Sequence, residues 1–400
     1  MKITVVGSGY VGLTTGACLA EKGNLVICAD NNLEKINQLK KGIIPFYETS
    51  LEKIVKKNLK KNLIFTSDIK KAVQNSDVVF CCVWTPPGKD FKPDVTAVFD
   101  VARDFGRNIN SDKTFVIKST VPVGTNENCI EIIRSEIKKR KVKFNFNIVS
   151  NPEFLRQGSA VKDTMNPDRI VAGIENKNAV SIINKLYKPF KSTILFTDLK
   201  TAELIKYAAN AFLAAKISFI NEVSNFSALK NCNIKDIEKA LKLDKRIGPD
   251  YLDSGAGYGG GCLRKDIKGL IKQGEENDFN FSILKAVEDI NEKQKLAPYF
   301  KLKMKIGSLR GKTIAVLGVS FKPGTDSAKE AASIKIVEKL LNDKAKVNIY
   351  DPAASANFME IFKNRKNIKC FNSALAAVKD ADAVLILSKW PEFKKLRIKI

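Results

Sequence analysis

Cys262 is the residue whose surroundings best suit covalent chemistry. It closes a glycine-rich run, Gly255-Ala256-Gly257-Tyr258-Gly259-Gly260-Gly261-Cys262-Leu263-Arg264-Lys265-Asp266. Backbone so poor in side chains is costly inside a helix or strand. The run must therefore pack close to a ligand or bend as a loop. Leu263, Ile267, Leu270 and Ile271 then recur at helical spacing, which puts Cys262 at or near a helix N-terminus. The positive end of the helix, with Arg264 and Lys265 nearby, favours a thiolate. Cys18, Cys28, Cys81 and Cys82 lie in apolar stretches and read as structural.

The second chemical signal is Gly7-Ser8-Gly9-Tyr10-Val11-Gly12. This G-x-G-x-x-G follows a strand-like run, precedes the helical run 13–22 and leads to a second strand ending at Asp30, the context a dinucleotide fingerprint requires. Gly7 permits the tight turn, Gly9 lets backbone approach a pyrophosphate, and Gly12 lets helix pack on strand. Asp30 can accept from the ribose hydroxyls and repel a 2′-phosphate, which favours NAD over NADP. A hydride acceptor alone suffices to oxidise an alcohol. A thiolate becomes useful when an aldehyde must be oxidised further, because the thiohemiacetal can lose a second hydride and leave a hydrolysable thioester.

These residues need elements to hold them. Strand-like runs at 3–6, 25–29, 78–83, 114–117 and 147–149 alternate with helical stretches, a pattern of parallel α/β structure. A further strand pair is expected near 169–173 and 193–196. From 201 to 229 the sequence is apolar-periodic with no Gly or Pro, so one long helix is expected. More helix follows at 234–243 and 283–305. A second doubly wound block starts at 311–318, with a helix at 333–341 and strands at 346–350 and 383–387. The fold class is α/β: two Rossmann-like doubly wound domains joined by a central helical region with one long helix. The domains are read as 1–198, 199–305 and 306–400.

Composition narrows the function classes. With no His among 400 residues and no CxxC pair, no metal site is expected, and any general base must be Asp, Glu, Lys, Tyr, thiolate or water. The N-terminus enters its first strand directly and no apolar run reaches the roughly 18–20 residues of a membrane span, so the chain is read as cytoplasmic. The net charge of +25 is dispersed along the chain without a recognition motif. It is read as solvated Lys-rich surface, with no nucleic-acid or membrane partner.

Several motifs in order resemble the UDP-glucose 6-dehydrogenases of the UDP-glucose/GDP-mannose dehydrogenase family. Besides the two above they are Lys118-Ser119-Thr120-Val121-Pro122-Val123-Gly124-Thr125, Asn151-Pro152-Glu153-Phe154-Leu155-Arg156, Glu203-Leu204-Ile205-Lys206-Tyr207-Ala208-Ala209-Asn210-Ala211-Phe212, and the segment 318–325 with Phe321-Lys322-Pro323. The resemblance implies oxidation of UDP-glucose to UDP-glucuronate with NAD, in a homodimer. It makes Cys262 the nucleophile, Lys206 a fixed cation for the oxyanion, Asp266 a base, Asn210 a second holder of that oxygen, and Thr120 and Glu153 organisers of a water. Lys206 and Asn210 share one helix face, four residues apart. For NAD it implies Gly7, Gly9, Tyr10, Val11, Gly12, Asp30, Lys35, Thr85, Thr120, Gln157, Lys265 and Lys329. For the sugar nucleotide it implies Glu153, Phe154, Leu155, Arg156, Lys206, Asn210, Tyr251, Leu252, Gly255, Gly259, Lys322 and, from the partner subunit's chain, the equivalent of Arg246.

The sequence departs from that pattern in places. Trp84 stands where a small residue is usual, Gln157 for Glu, Thr49-Ser50 for Pro-Gly, Lys329 for Arg and Lys389 for Glu. The chain ends at Ile400, short of a strand the family normally adds, so a shortened C-terminal domain is expected. The alternatives are the same chemistry on a UDP-N-acetylhexosamine or GDP-mannose, or a catalytically impaired homologue that binds NAD and UDP-sugar.

Overall fold

Apolar residues on both faces of the first strands dictate a sheet covered on both sides. The computed structural model describes residues 1–396, so the end at Ile400 lies outside the described residues. Two compact units divide the chain, Met1–Ala208 and the part from Ala209 onward. In the first unit the strands are β1 (Lys2–Val6), β2 (Leu25–Ala29), β3 (Leu63–Thr66), β4 (Val78–Cys81), β5 (Lys113–Ile117), β6 (Phe146–Ser150), β7 (Ile170–Ile174) and β8 (Ile194–Thr197). They form one sheet in the order β3-β2-β1-β4-β5-β6-β7-β8. Ile3, Val5, Val78, Phe80 and Val116 face one apolar cluster. Val6, Val79, Cys81, Phe115 and Ile117 face the other. This period-two division is what a two-sided parallel sheet requires. The strands expected to be parallel, β1, β2, β4, β5 and β6, are so, and the later pair β7 and β8 joins through an antiparallel step from β6 to β7. The order reverses between β1 and β4, so the turn after β1 lies at the switch point where such sheets hold ligands.

The long helix runs Leu199–Leu229. It stops where Asn231 takes up a left-handed φ of 54°, a backbone state Asn adopts readily. Helices Ile234–Leu243 and Leu263–Glu275 follow. The single helical stretch expected at 283–305 is instead two, Ser282–Gln294 and Ala297–Ile306. Pro298 explains the break: it lacks an N–H and its ring would strike the carbonyl four residues back, so it is accepted only in the first turn of a new helix.

In the second unit, β9 (Thr313–Leu317), β10 (Lys346–Tyr350), β11 (Ile368–Cys370) and β12 (Ala383–Ile386) form a parallel sheet in the order β11-β10-β9-β12. Its main cluster gathers Ile314, Val316, Ile336, Val337, Leu340, Ile349 and Phe358. Leu317, Ala374, Ala377 and Phe393 pack on the other side. Among the described residues, no helix is long and apolar enough to cross a membrane.

Candidate active site

The turn after β1 is built from contacts that exclude side chains. Gly7 sits at φ 94°, and a Cβ there would meet the Cys82 carbonyl oxygen at 2.9 Å. A Cβ on Gly12 would lie 1.8 Å from the Gly7 carbonyl oxygen. Around Gly9 none of the described residues comes within 4 Å of such an atom, so its missing side chain leaves room for a ligand. Helix Tyr10–Glu21 begins here with no side-chain cap and no acid in its first turn. Its first N–H groups are therefore available to an anion. The buried Ser8 hydroxyl also lacks a protein partner among the described residues. An open cradle, an uncapped helix start and an orphaned hydroxyl fit a dinucleotide pyrophosphate.

Asp30, at the end of β2, faces the same turn. Its Oδ2 accepts from Ser8 N at 2.7 Å and Lys35 Nζ at 2.8 Å, and its Oδ1 accepts from Asn32 N at 3.0 Å. Burial raises this carboxyl, but Lys35 and the two N–H groups outweigh it and hold the pKa below its usual value. A carboxylate has about four acceptor sites, so roughly one remains for a ribose hydroxyl unless Lys35 moves. The expectation of two ribose bonds is narrowed accordingly. Tyr10 stacks on Phe46 and accepts from Gly158 N at 2.9 Å. Val11 is half-buried, and Gln157 has a buried Oε1 without a partner among the described residues. Thr85 Oγ1 donates to the Thr120 carbonyl at 2.8 Å, joining the turns after β4 and β5.

In the first unit the acid–base residues form a buried pair. Lys206 Nζ lies 3.1 Å from Glu153 Oε1, with both side chains under a tenth exposed. Glu153 also accepts from Leu155 N at 2.5 Å, so the loop after β6 shapes itself around this carboxylate. Phe154 carries the Arg169 guanidinium 3.9 Å above its ring, while Arg156 is engaged by Asp163 at 2.7 Å. Buried Lys118 donates to Asn151 Oδ1 at 3.1 Å, and burial pushes its pKa down. Sequence reasoning gave Glu203 no role. It accepts from Gly124 N at 2.6 Å and Asn126 N at 2.8 Å, capping helix Thr125–Lys139 from the long helix. Burial raises its pKa despite these bonds.

In the second unit Cys262 is exposed and is the N-cap residue of helix Leu263–Glu275. Asp266, one turn on, is 1% exposed. It accepts from Asn210 Nδ2 at 2.6 Å and from Lys265 Nζ at 2.6 Å. Cys18, Cys28 and Cys81 are buried, and desolvation pushes each thiol up to about 12. The positive charge expected beside Cys262 is largely matched. Arg264 grips Glu288 and Glu330, and Lys265 grips Asp266. This corrects the sequence reading: neither cation is held by Cys262 alone, and the helix start, with Asp266 in its first turn, adds to the thiol's surroundings.

The glycine run packs on protein. A Cβ on Gly259 would meet the Glu330 carbonyl oxygen at 2.7 Å, and one on Gly260 would meet the Phe321 ring at 2.8 Å. Gly260 N donates to the Lys329 carbonyl at 2.8 Å, and the Lys329 side chain lies against Gly261. Gly255 is held by Asn221 Oδ1 and Gln294 Nε2, at 2.8 and 2.7 Å. Leu252 is buried beside Tyr251, which sits at φ 65°. The Lys322 ammonium stands 5.9 Å over Phe321. Arg246 pairs with Asp244 at 2.7 Å and is 89% exposed. Among the departures, Trp84 is 61% exposed, so it does not plug a gap within its unit, and Lys389 donates to the Ser254 carbonyl at 3.1 Å. The turn after β9 repeats the first: Gly318 has φ 78°. Asp351 ends β10's turn and accepts from Ser320 N and Oγ, Ala353 N, Ala354 N and Trp390 Nε1.

Residues 1–191 match the NAD binding domain of the UDP-glucose/GDP-mannose dehydrogenase family, residues 200–293 its central domain and residues 315–400 its UDP binding domain. The chain belongs to this family. It is thus an NAD-dependent oxidoreductase, and the resemblance carried by the motifs is borne out. The UDP-glucose 6-dehydrogenase TuaD of Bacillus subtilis is 42% identical over 398 residues, covering 99% of this chain and 85% of that one. A UDP-glucose dehydrogenase from Pyrobaculum islandicum superposes with a TM-score of 0.94 at 34% identity, covering 99% of this chain and 92% of the other. A UDP-D-ManNAc dehydrogenase from Pyrococcus horikoshii gives 0.86 at 26%, covering 99% and 91%.

Proposed function

We propose that this chain oxidises UDP-glucose to UDP-glucuronate in two successive NAD-dependent steps. The observation that carries the reading is an exposed thiol at a helix start, one turn from a buried carboxylate held by an amide and an ammonium. Greater likeness to named UDP-glucose dehydrogenases than to the ManNAc enzyme favours glucose among the nucleotide sugars. Residues 1–198 would bind cofactor, 199–305 would supply catalysis and the dimer contact, and 306–400 would bind UDP.

When bound, NAD supplies the hydride acceptor for each oxidation. The protein's part is to orient and to move protons. Asp266 takes the proton of the C6 hydroxyl, directly or through water. The Cys262 sulfur then adds to the aldehyde carbon, forming a C–S bond as the carbonyl oxygen becomes an alkoxide. Lys206 and Asn210 stabilise that oxygen by charge and hydrogen bonding. After the second oxidation, water adds to the thioester carbon, the C–S bond breaks and the thiolate leaves. Glu153 and Thr120 hold that water, and the proton it loses passes to a carboxylate.

A homodimer is part of the proposal. Phe212, Phe219 and Phe226 are 67%, 54% and 60% exposed at seven-residue spacing on the long helix. One apolar stripe of that kind suits a partner helix. The largely exposed Arg246 is the residue proposed to cross to the other subunit.

The test is stoichiometry with the Cys262→Ser variant beside the wild type. The native protein should form about two NADH per UDP-glucose, one per hydride, and Cys262→Ser should bind UDP-glucose but yield no carboxylate. A ratio near one, or full acid formation by the variant, would reject the covalent route. Turnover of a UDP-N-acetylhexosamine in place of UDP-glucose would reject the sugar.

A further inference from the structure

We propose that Arg264 is a positioning residue. Through it, the Phe321–Glu330 segment of the C-terminal sheet domain sets the placement and reactivity of Cys262. The coupling to nucleotide rests on the reading above, in which that domain binds UDP.

Arg264 stands two residues after the nucleophile, with its side chain 17% exposed. Its Nε lies 2.9 Å from Glu288 Oε1 and 3.6 Å from Glu292 Oε1, and its Nη1 lies 2.7 Å from Glu330 Oε2. Lys295, 1% exposed, bonds Glu292 at 2.7 Å and lies 3.8 Å from Glu330. Lys335 also bonds Glu292. Three cations thus interleave with three carboxylates. They come from the nucleophile's helix, from helix Ser282–Gln294 and the Lys295 just beyond it, from the β9-to-helix connection, and from helix Ala332–Asn342.

The same connection also holds the loop before Cys262. Gly260 N donates to the Lys329 carbonyl, Gly259 abuts the Glu330 carbonyl, and Gly260 lies on the Phe321 ring. Cys262 is therefore bracketed: the backbone on its N-terminal side and the Arg264 fork on its C-terminal side both seat on residues 321–330. Glu330 holds a left-handed φ of 55°, a state that persists in a non-glycine residue only where surroundings enforce it. The segment leaves the carboxyl end of β9, the edge at which a doubly wound sheet meets its ligand. A ligand there that shifts residues 321–330 must shift the thiol. Replacing a whole buried ion pair by apolar groups often costs little, whereas removing one partner costs more, and one attested use of such pairs is to fix a single geometry. A planar fork reaching two carboxylates suits that role, and Lys could not reproduce it.

The experiment uses the full chain and UDP, which lacks the sugar that would cover the thiol. Cys262 alkylation by iodoacetamide is followed by peptide mapping, which separates it from the exposed Cys232 and Cys370. UDP should change the wild-type rate by about threefold or more. Arg264→Gln and Glu330→Gln should lose most of that response and about tenfold in kcat, with KM and UDP affinity changed much less and the double variant no worse than the single ones, as coupled neighbours behave. Glu330 is more than a third exposed, so its variant should fold even where Arg264→Gln does not. A wild-type rate indifferent to UDP, or variants with wild-type kcat and UDP response, would overturn the proposal. If the wild type leaves UDP-glucose unoxidised, the functional reading fails, while the alkylation response still decides the coupling.

Discussion

Alanine substitutions in one glycine-rich loop should differ several-fold in effect, in an order fixed by what each Cβ would touch. At Gly255 a Cβ meets none of the described residues within 4 Å. Gly255→Ala should be neutral or stabilising by up to about 1 kcal/mol, since it only restricts the unfolded chain. At Gly259 the atom would stand 2.7 Å from the Glu330 carbonyl oxygen and 3.1 Å from Ala331 Cα. Backbone on both sides must give by several tenths of an ångström, and overpacking of that kind costs about 1–3 kcal/mol. Gly260→Ala carries a similar overpacking against the Phe321 ring, 2.8–3.0 Å away, and adds a φ of 81°. The left-handed backbone costs roughly 1–2 kcal/mol more, for a total of about 2–5 kcal/mol. For a unit of this size each kcal/mol shifts the midpoint by about 2–4 °C. Calorimetry should therefore show the second unit's transition unmoved or raised in Gly255→Ala, a few degrees lower in Gly259→Ala and about 4–20 °C lower in Gly260→Ala. Equal effects at all three positions would refute the claim that these glycines exist to seat backbone on residues 321–330.

Ser50 holds φ 67° at the start of helix Leu51–Asn58, so Ser50→Gly should relieve up to about 1 kcal/mol of strain, less the extra freedom glycine has when unfolded. A lower urea midpoint for that variant would contradict this. Acid should weaken the second unit in particular. At Glu238 and Glu292, burial works against the charged form. Hydrogen bonds from Lys235 and Ser254, and from Lys295 and Lys335, nonetheless bring both carboxyls down to about 2. A folded pKa below the unfolded value of 4.5 gives stability that is complete above that pH and lost as pH falls toward about 2. After screening by solvent each group contributes on the order of 1–2 kcal/mol, so Glu292→Gln should flatten the acid limb of the urea midpoint, and an unchanged limb would count against the cluster.

The sequence was most informative where structure is local. Near-continuous apolar runs located β1, β2, β4 and β5, and the spacing of Leu263, Ile267 and Leu270 located the helix that Cys262 caps. β3 and β11 escaped because each is a short edge strand, one behind a lysine pair and one only three residues long. Pro298 is a readable stop between helices Ser282–Gln294 and Ala297–Ile306. What could not be read were partners distant along the chain. Arg264 meets Glu330 across 66 residues and Asp266 meets Asn210 across 56. Local charge counting therefore credited Cys262 with cations that the folded chain gives to carboxylates. The glycines were legible as unusual, while the surface they press against was not.

Asp30 and Asp351 each follow the second strand of their own sheet, yet they leave different acceptor capacity open to a designed ligand. Three protein donors leave Asp30 with about one open acceptor site, and the five on Asp351 leave none. An inhibitor that offers a ribose-like hydroxyl to a carboxylate should select the first turn and pass over the second. The duplicated architecture thus carries its own selectivity filter, and a cofactor-site compound can be optimised against Asp30 without drifting into the site next to Asp351.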